Sequence, residues 1–329
     1  MNTARRNALT PEALQMMDTI ARSGSFAAAA REMGRVPSAL TYSVRQLEEA
    51  LDVLLFDRRS RQARLTAAGA ELLDEGRRLL AEVDAVANRV RRVSTGWESE
   101  LTVAVDGVIS QRTVFELFEA FYALRPDGVQ GPPTRLRLRT EILAGLWEAL
   151  ISGQADLAIG VARDMPAHPG IGQRPLGEVP FVFVVAPHHR LAAHDEPITD
   201  GALLQHRAIA VADSAQRMSP RTVNLLPGQD VLTVGSMQAK LEALLRGLGC
   251  GFLPEPQARA QIAAGKLVVR PVARANPPVR LAYAWRTGSS PAERAHAQGT
   301  ALQWFLSQLD SAATRAALLD RYGDQPQVD

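Results

Sequence analysis

The chain has 329 residues, 46% hydrophobic and 22% charged, with 37 basic against 35 acidic side chains, so it is long enough for two or three domains and too evenly charged for a nonspecific polycation. Cys250, the single cysteine, excludes an intrachain disulfide and fits a reducing compartment. No apolar leader or membrane-length apolar run is visible, which gives the expectation of a cytoplasmic protein with no membrane partner. The basic charge is local and almost wholly arginine, since only Lys240 and Lys266 are lysines.

In chain order, Thr10, Pro11 and Glu12 form a helix start: a cap, a first-turn proline and an acid on the positive end of the dipole. The helix predicted over residues 11–22 brings Leu14, Met17 and Ile20 to one face. Ser25 caps a second helix, which Gly34 ends, and Pro37 opens a third. Along that third helix Leu40, Val44, Leu47 and Leu51 recur at the spacing of a buried stripe. Its opposite face carries Ser38, Thr41, Tyr42, Arg45 and Gln46, groups that reach base edges and phosphates in a major groove. Helical hairpins that never meet DNA use the same turn, so spacing alone leaves both readings open. Two short apolar pieces, 54–56 and 63–65, then flank a tip carrying Arg58, Arg59, Arg61 and Arg64. A two-stranded wing would lay these guanidinium forks on phosphate oxygens; the alternative is a solvated arginine run.

The order AAREM, PSALTYSVRQLEEALDVLLFDR, RLTAAGAELL resembles the N-terminal region of the LysR-type transcriptional regulators over about the first ninety residues. The resemblance implies a winged helix-turn-helix that binds double-stranded DNA. Two departures stand out. Val36 and Pro37 replace a usual Ser-Gln, and Thr41, Tyr42 and Ser43 replace a common Ser-Arg-Gln, which changes the base-reading face.

Residues 67–94 are predicted as one long helix in which Leu72, Gly76, Leu79, Val83, Val86, Val90 and Val93 keep an a/d rhythm. That pattern points to pairing of two chains, with Gly76 allowing close approach; a helix lying on its own domain is the alternative. In the family this linker forms the dimer. A two-fold dimer demands a near-palindromic operator and binding that weakens with salt.

Beyond residue 98 strands alternate with helices, the signature of parallel α/β sheets. Strands are predicted at 101–105, 135–140, 155–161, 181–187, 207–212, 231–235, 250–254, 266–272 and 279–285, with helices at 112–124, 142–153, 236–249 and 291–309. GQADLAIGV, RPLGEVPFVFVVAPHHRLA and LLRGLGCGFLPE resemble the effector-binding region of the same family, itself similar to periplasmic solute-binding proteins. The expected architecture is therefore an N-terminal all-α winged helix-turn-helix (1–66), a linker helix (67–95), and a C-terminal α/β effector-binding domain (96–310) of two Rossmann-like subdomains. The first subdomain takes 100–161 and 272–310, the second 162–271, with crossings near 161–165 and 266–271 and a loosely held tail at 311–329.

Ligands of such sheets lie off the carboxyl ends of strands, against helix N-termini. Asp106 and Ser110, Asp213 and Ser214, and Ser236 and Met237 occupy such places, while Val161, Phe252 and Tyr283 are candidates for apolar walls. A serine in such a place is more often a helix cap, so the cluster of loops marks the site better than any one of them. The expected effector is a small molecule such as an organic acid. His188, His189 and His194 lack the carboxylate or thiolate company of a metal site, and neither a phosphate loop nor a GxSxG or HExxH motif appears. The expectation is thus no cofactor, no metal and no enzyme. The family implies a homodimer or homotetramer that acts with RNA polymerase. The rivals are a solute-binding protein and an α/β enzyme with a helical appendage.

Overall fold

A computed structural model describes residues 8–57, 63–126, 128, 131–194, 196–287 and 298–321. The chain divides into two compact units, Met1–Ala87 and Asn88–Asp329.

In the first unit α1 (Pro11–Ser23) is capped by Thr10, whose Oγ1 accepts from the Ala13 N–H at 3.2 Å, and stops where Gly24 turns left-handed at φ 71°. Ser25 caps α2 (Phe26–Glu32) through the Ala28 N–H at 3.1 Å. In α3 (Pro37–Leu51) Pro37 takes the first turn, where its missing N–H leaves no partner wanting. The three helices bury Met16, Met17 and Ile20, Ala29 and Ala30, and Leu40, Val44 and Leu47 in one core. The two alanines leave α2 thin enough for its neighbours to close over it.

The wing closes this core from outside. Phe56 and Leu65 form an antiparallel bridge, the Asp57 N–H donates to the Arg64 carbonyl at 2.8 Å, and Phe56 meets Phe26 edge-on at 5.2 Å. Glu48, buried on α3, accepts the Leu55 and Phe56 N–H groups at 2.8 and 3.3 Å. One carboxylate thereby ties the wing to the third helix. Arg58, Arg59 and Arg61 lie outside the described residues.

Helix α4 (Ala67–Thr95) has 29 residues, about 43 Å at a rise of 1.5 Å. Gly76 does not serve a second chain: a Cβ there would lie 2.9 Å from Leu14 Cδ2, so its smallness lets α4 approach α1. Leu72 and Leu73 also turn inward. Leu79, Val83, Val86, Val90 and Val93 remain 46–67% exposed.

The second unit opens with β1 (Glu100–Asp106), α5 (Gln111–Tyr122), β2 (Arg135–Glu141), α6 (Ala144–Ile151), β3 (Leu157–Ala162) and β4 (Ile171–Val179). The chain crosses to β5 (Phe181–Val185), a 3₁₀ turn (Arg190–Ala193), α7 (Asp200–Leu203), β6 (Ala208–Val211), β7 (Val231–Val234), α8 (Met237–Leu245), β8 (Gly251–Pro254), α9 (Glu255–Ala263) and β9 (Val268–Val269). It returns through β10 (Val279–Arg286), α10 (Thr300–Asp310) and α11 (Ala312–Asp320). The first sheet runs β2-β1-β3-β10-β4, with β1, β2 and β3 parallel and β10 antiparallel to both its neighbours. Leu101, Val103 and Ile159 face α5 and α10 across one face; Ala104, Ala158 and Ala284 face Leu146 and Trp147 of α6 across the other. The second subdomain pairs β8-β5-β9 and β6-β7, and the Ala208–Cys250 bridge sets β6 beside β8.

Three expectations change here. Strand β4 pairs with β10 from end to end, so the first sheet holds residues 171–179 and the first crossing moves from 161–165 to Pro180. Gly172, Pro175 and Gly177 hide this edge strand from any alternation rule. The return crossing correspondingly falls between β9 and β10, at 270–278, rather than at 266–271. The tail is also no appendage up to residue 321: Leu318 is fully buried and the Arg321 carbonyl accepts from Ser110 Oγ at 2.6 Å.

Candidate functional site

Two regions carry functional chemistry, one in each unit. On the first, α3 buries Leu40, Val44 and Leu47 and turns Ser38, Thr41, Tyr42, Arg45 and Gln46 outward, all exposed. Tyr42 is 62% exposed and its hydroxyl accepts from Gln46 Nε2 at 2.8 Å, one turn apart. Thr41 Oγ1 donates back to the Pro37 carbonyl at 3.0 Å. The outer face thus offers an aromatic ring, an amide and a guanidinium on one rigid rod, with exposed Arg64 on the wing.

In the second unit a cavity of about 900 Å³ opens between the two subdomains. The carboxyl ends of β1, β3, β6 and β7 reach it through Asp106, Ala162, Val211 and Thr233, and α8 contributes Met237 and Lys240. Its apolar wall includes Val108, Leu143, Phe181, Val223, Leu225 and Phe252. Asp106 is buried and accepts the Val108 and Leu143 N–H groups at 2.9 and 3.2 Å. Burial pushes its carboxyl up to about 6; those hydrogen bonds oppose the rise and the nearby Asp213 charge adds to it.

Asp213 bridges the subdomains. Helix α6 begins after Leu143, a non-glycine residue at φ 53°, and has no side-chain cap of its own. Asp213, leaving β6, supplies one from the second subdomain: it accepts from the Ala144 and Gly145 N–H groups at 3.2 Å, and from Ala215 and Arg221 of its own loop at 2.9 and 2.7 Å. Glu148, further along α6, accepts the Gln216, Arg217 and Met218 N–H groups. Burial opposes ionisation there, yet the three N–H groups hold this carboxyl below its ordinary value. Arg221 completes the attachment with a two-pronged contact to Asp164 at 3.1 and 2.6 Å. The 213–221 loop is therefore fastened to the first subdomain by its backbone.

Of the residues expected at a ligand, Asp106, Asp213, Met237 and Phe252 line the cavity. Ser110, Val161, Ser214, Ser236 and Tyr283 do not. Ser110 and Ser236 are helix caps, accepting from Thr113 and Ala239 N–H at 3.2 and 3.1 Å. Ser214 donates to Glu141 at 2.7 Å, Val161 packs with the α6 core, and the Tyr283 hydroxyl donates to Asp310 at 2.6 Å. Sequence reasoning missed Arg163, Arg221 and Lys240. Lys240 had a usable signal, being one of two lysines and three residues into a helix that follows a strand end. Cys250 is buried, and burial pushes its thiol up to about 11, against reactivity. Among the described residues no three His, Cys, Asp or Glu gather as metal ligands, and no helix is long and apolar enough to cross a membrane.

Comparison with known proteins matches residues 11–70 to the bacterial regulatory helix-turn-helix protein, lysR family, and residues 94–313 to the LysR substrate binding domain. The chain is 38% identical over 307 residues to YhaJ of Escherichia coli K12, a probable HTH-type transcriptional regulator, covering 93% of this chain and 97% of that one. It is 32% identical over 301 residues to the transcriptional regulator PunR of the same strain, covering 92% and 93%. Full-length CbnR, solved with its target DNA, shares the fold at a TM-score of 0.54 and 20% identity over 88% of this chain and 97% of that one. A full-length AphB variant does so at 0.54 and 18%, over 91% and 97%. With an outward polar helix in one unit and a walled cavity in the other, both matched by family models, this chain belongs to the LysR family of DNA-binding transcriptional regulators.

Proposed function

We infer that residues 1–66 read an operator, that α4 pairs two chains, and that a small molecule in the 900 Å³ cavity modulates operator binding in the cytoplasm. The observation that carries this is the exposed polar row of α3 laid opposite its buried stripe. Arg45 and Gln46 are the base-reading candidates, Tyr42 contributes a stacking or methyl-contacting face, and Ser38 and Thr41 bind phosphate or base edges. Arg58, Arg59, Arg61 and Arg64 sit on backbone phosphates. Leu79, Val83, Val86, Val90 and Val93 present an unpaired apolar seam to a second copy, so two recognition helices meet one near-palindromic site.

The cavity lies between subdomains already tied by the 213–221 loop. A ligand preferring one spacing of the two would shift the population of that spacing and so the placement of the paired heads. A gel shift with the promoter fragments flanking the gene tests the DNA reading. Arg45→Ala should weaken specific binding by ~1–3 kcal/mol, whereas Arg61→Ala should chiefly lower the salt slope. No retention of any fragment by the wild-type chain would refute it.

A further inference from the structure

The charges around the cavity fall into two groups. Every carboxylate on its wall is engaged by the protein itself: Asp106 by two backbone N–H groups, Asp213 by four, Asp164 by Arg221, and Glu178 by Arg280 at 3.1 Å. Two cations lining the same cavity, exposed Arg163 after β3 and half-buried Lys240 of α8, have no carboxylate partner among the described residues. Each acid thus already has donors of the protein on it, and Asp164 and Glu178 each have an arginine, whereas neither Lys240 nor Arg163 has an acid among those residues.

Lys240 is the sharper of the two. It projects from α8, and its stem passes Gly251, where a Cβ would lie 3.5 Å from Lys240 Cε. Phe252, Val223 and Leu225 share the wall with it. The side chain is only partly accessible, and burial pushes its ammonium down to about 8, with Cys250 opposing weakly. An ammonium in apolar surroundings without a counter-charge is costly, and a bound anion removes that cost. In a chain that otherwise uses arginine almost everywhere, this place has a compact point charge on a flexible stem. Thr222, Asn224 and Thr233 add hydrogen-bonding groups to the lining of the same cavity.

On the reading of this cavity as the effector site, we propose that its ligand is an amphipathic organic anion, its charged head on Lys240 with Arg163 as a second cation, and its apolar body against Val223, Leu225 and Phe252. A neutral polyol would leave the ammonium unpaired and waste the apolar wall.

The test uses the full-length protein and two probes with one aromatic body. 1-Anilinonaphthalene-8-sulfonate carries an anionic head; N-phenyl-1-naphthylamine lacks it. Fluorescence titration should show saturable binding of the sulfonate at one per chain, weakened about tenfold or more in Lys240→Met, as expected when a charge-assisted contact is lost. The neutral probe should bind more weakly and equally to both proteins. Circular dichroism checks folding, and Lys240→Gln replaces the methionine variant if that one misfolds. Equal sulfonate affinity with and without Lys240, a neutral probe as tight as the anion, or no saturable sulfonate binding would each overturn the proposal. Fragment retention by wild-type protein without probe is measured alongside, so failure of the DNA reading shows separately from failure of the anion site.

Discussion

Lys240 should cost the empty protein stability, and removing it should therefore raise the melting temperature. Its ammonium falls from an ordinary 10.5 to about 8 because burial strips its water. At about 1.36 kcal/mol per pH unit this amounts to a native-state penalty on the order of 3 kcal/mol. Below pH 8 both the native and unfolded chains hold the proton, so the penalty is full. Between about 8 and 10.5 the native state releases its proton while the unfolded chain keeps it, and the native state recovers; above 10.5 the penalty is gone. Lys240→Met should thus melt about 6–12 °C above wild type at pH 7, given roughly 2–4 °C per kcal/mol for a unit of this size. The gap should close as pH approaches 10.5. Differential scanning calorimetry of both proteins across that range reads it directly. A variant that melts at or below the wild-type temperature at pH 7, or a gap independent of pH, would show that Lys240 is an ordinary packed residue and remove the energetic argument for an anion.

Glu48→Ala strands the Leu55 and Phe56 N–H groups, so it should destabilise by about 2 kcal/mol and speed hydrogen exchange at those two amides first. Val86→Glu places a charge in the middle of the exposed α4 seam and should shift sedimentation from dimer toward monomer; unchanged association would argue against that seam as the contact. Gly145→Ala would put a Cβ 1.8 Å from Ser214 Oγ and should detach the 213–221 loop, read as lost exchange protection at Ala215 and Arg221 despite alanine's better helix propensity. For Asp106, burial raises the carboxyl from 3.8 to about 6, so the native state keeps a proton that the unfolded chain loses. Stability should then fall by on the order of 2–3 kcal/mol as pH rises through that window, and Asp106→Asn should flatten the slope in urea titrations.

Much of the first unit was legible because its signals are local. Thr10, Ser25 and Pro37 act within four residues of themselves, and the α3 stripe specifies which side is buried whatever it packs against. The a/d rhythm of α4 was equally visible, but its meaning divided: Gly76 turned out to face Leu14 of the same chain, while the valines beyond it stay open. Rhythm marks an apolar side and leaves the partner undetermined. In the second unit the alternation of strands and helices announced α/β layers, and Ser110 and Ser236 carried the ambiguity of any serine at a strand end. Both became caps because the nearest unpaired N–H groups were their own helices'.

By itself the sequence settled the helices of the first unit and most strands of the second, the apolar side of each, and that a DNA-reading head precedes a two-lobed α/β body; strand 171–179 and the helices at 255–263 and 312–320 escaped it. Caps, periodicities and turn residues act over a few positions, and no distant partner is needed to express them. Only the tertiary structure decided that β4 belongs to the first sheet, that Asp213 caps a helix of the other subdomain, and that Lys240 and Arg163 share one cavity. Those facts depend on strand register and on backbone groups dozens of residues apart finding one another, and neighbours along the chain carry no record of that meeting.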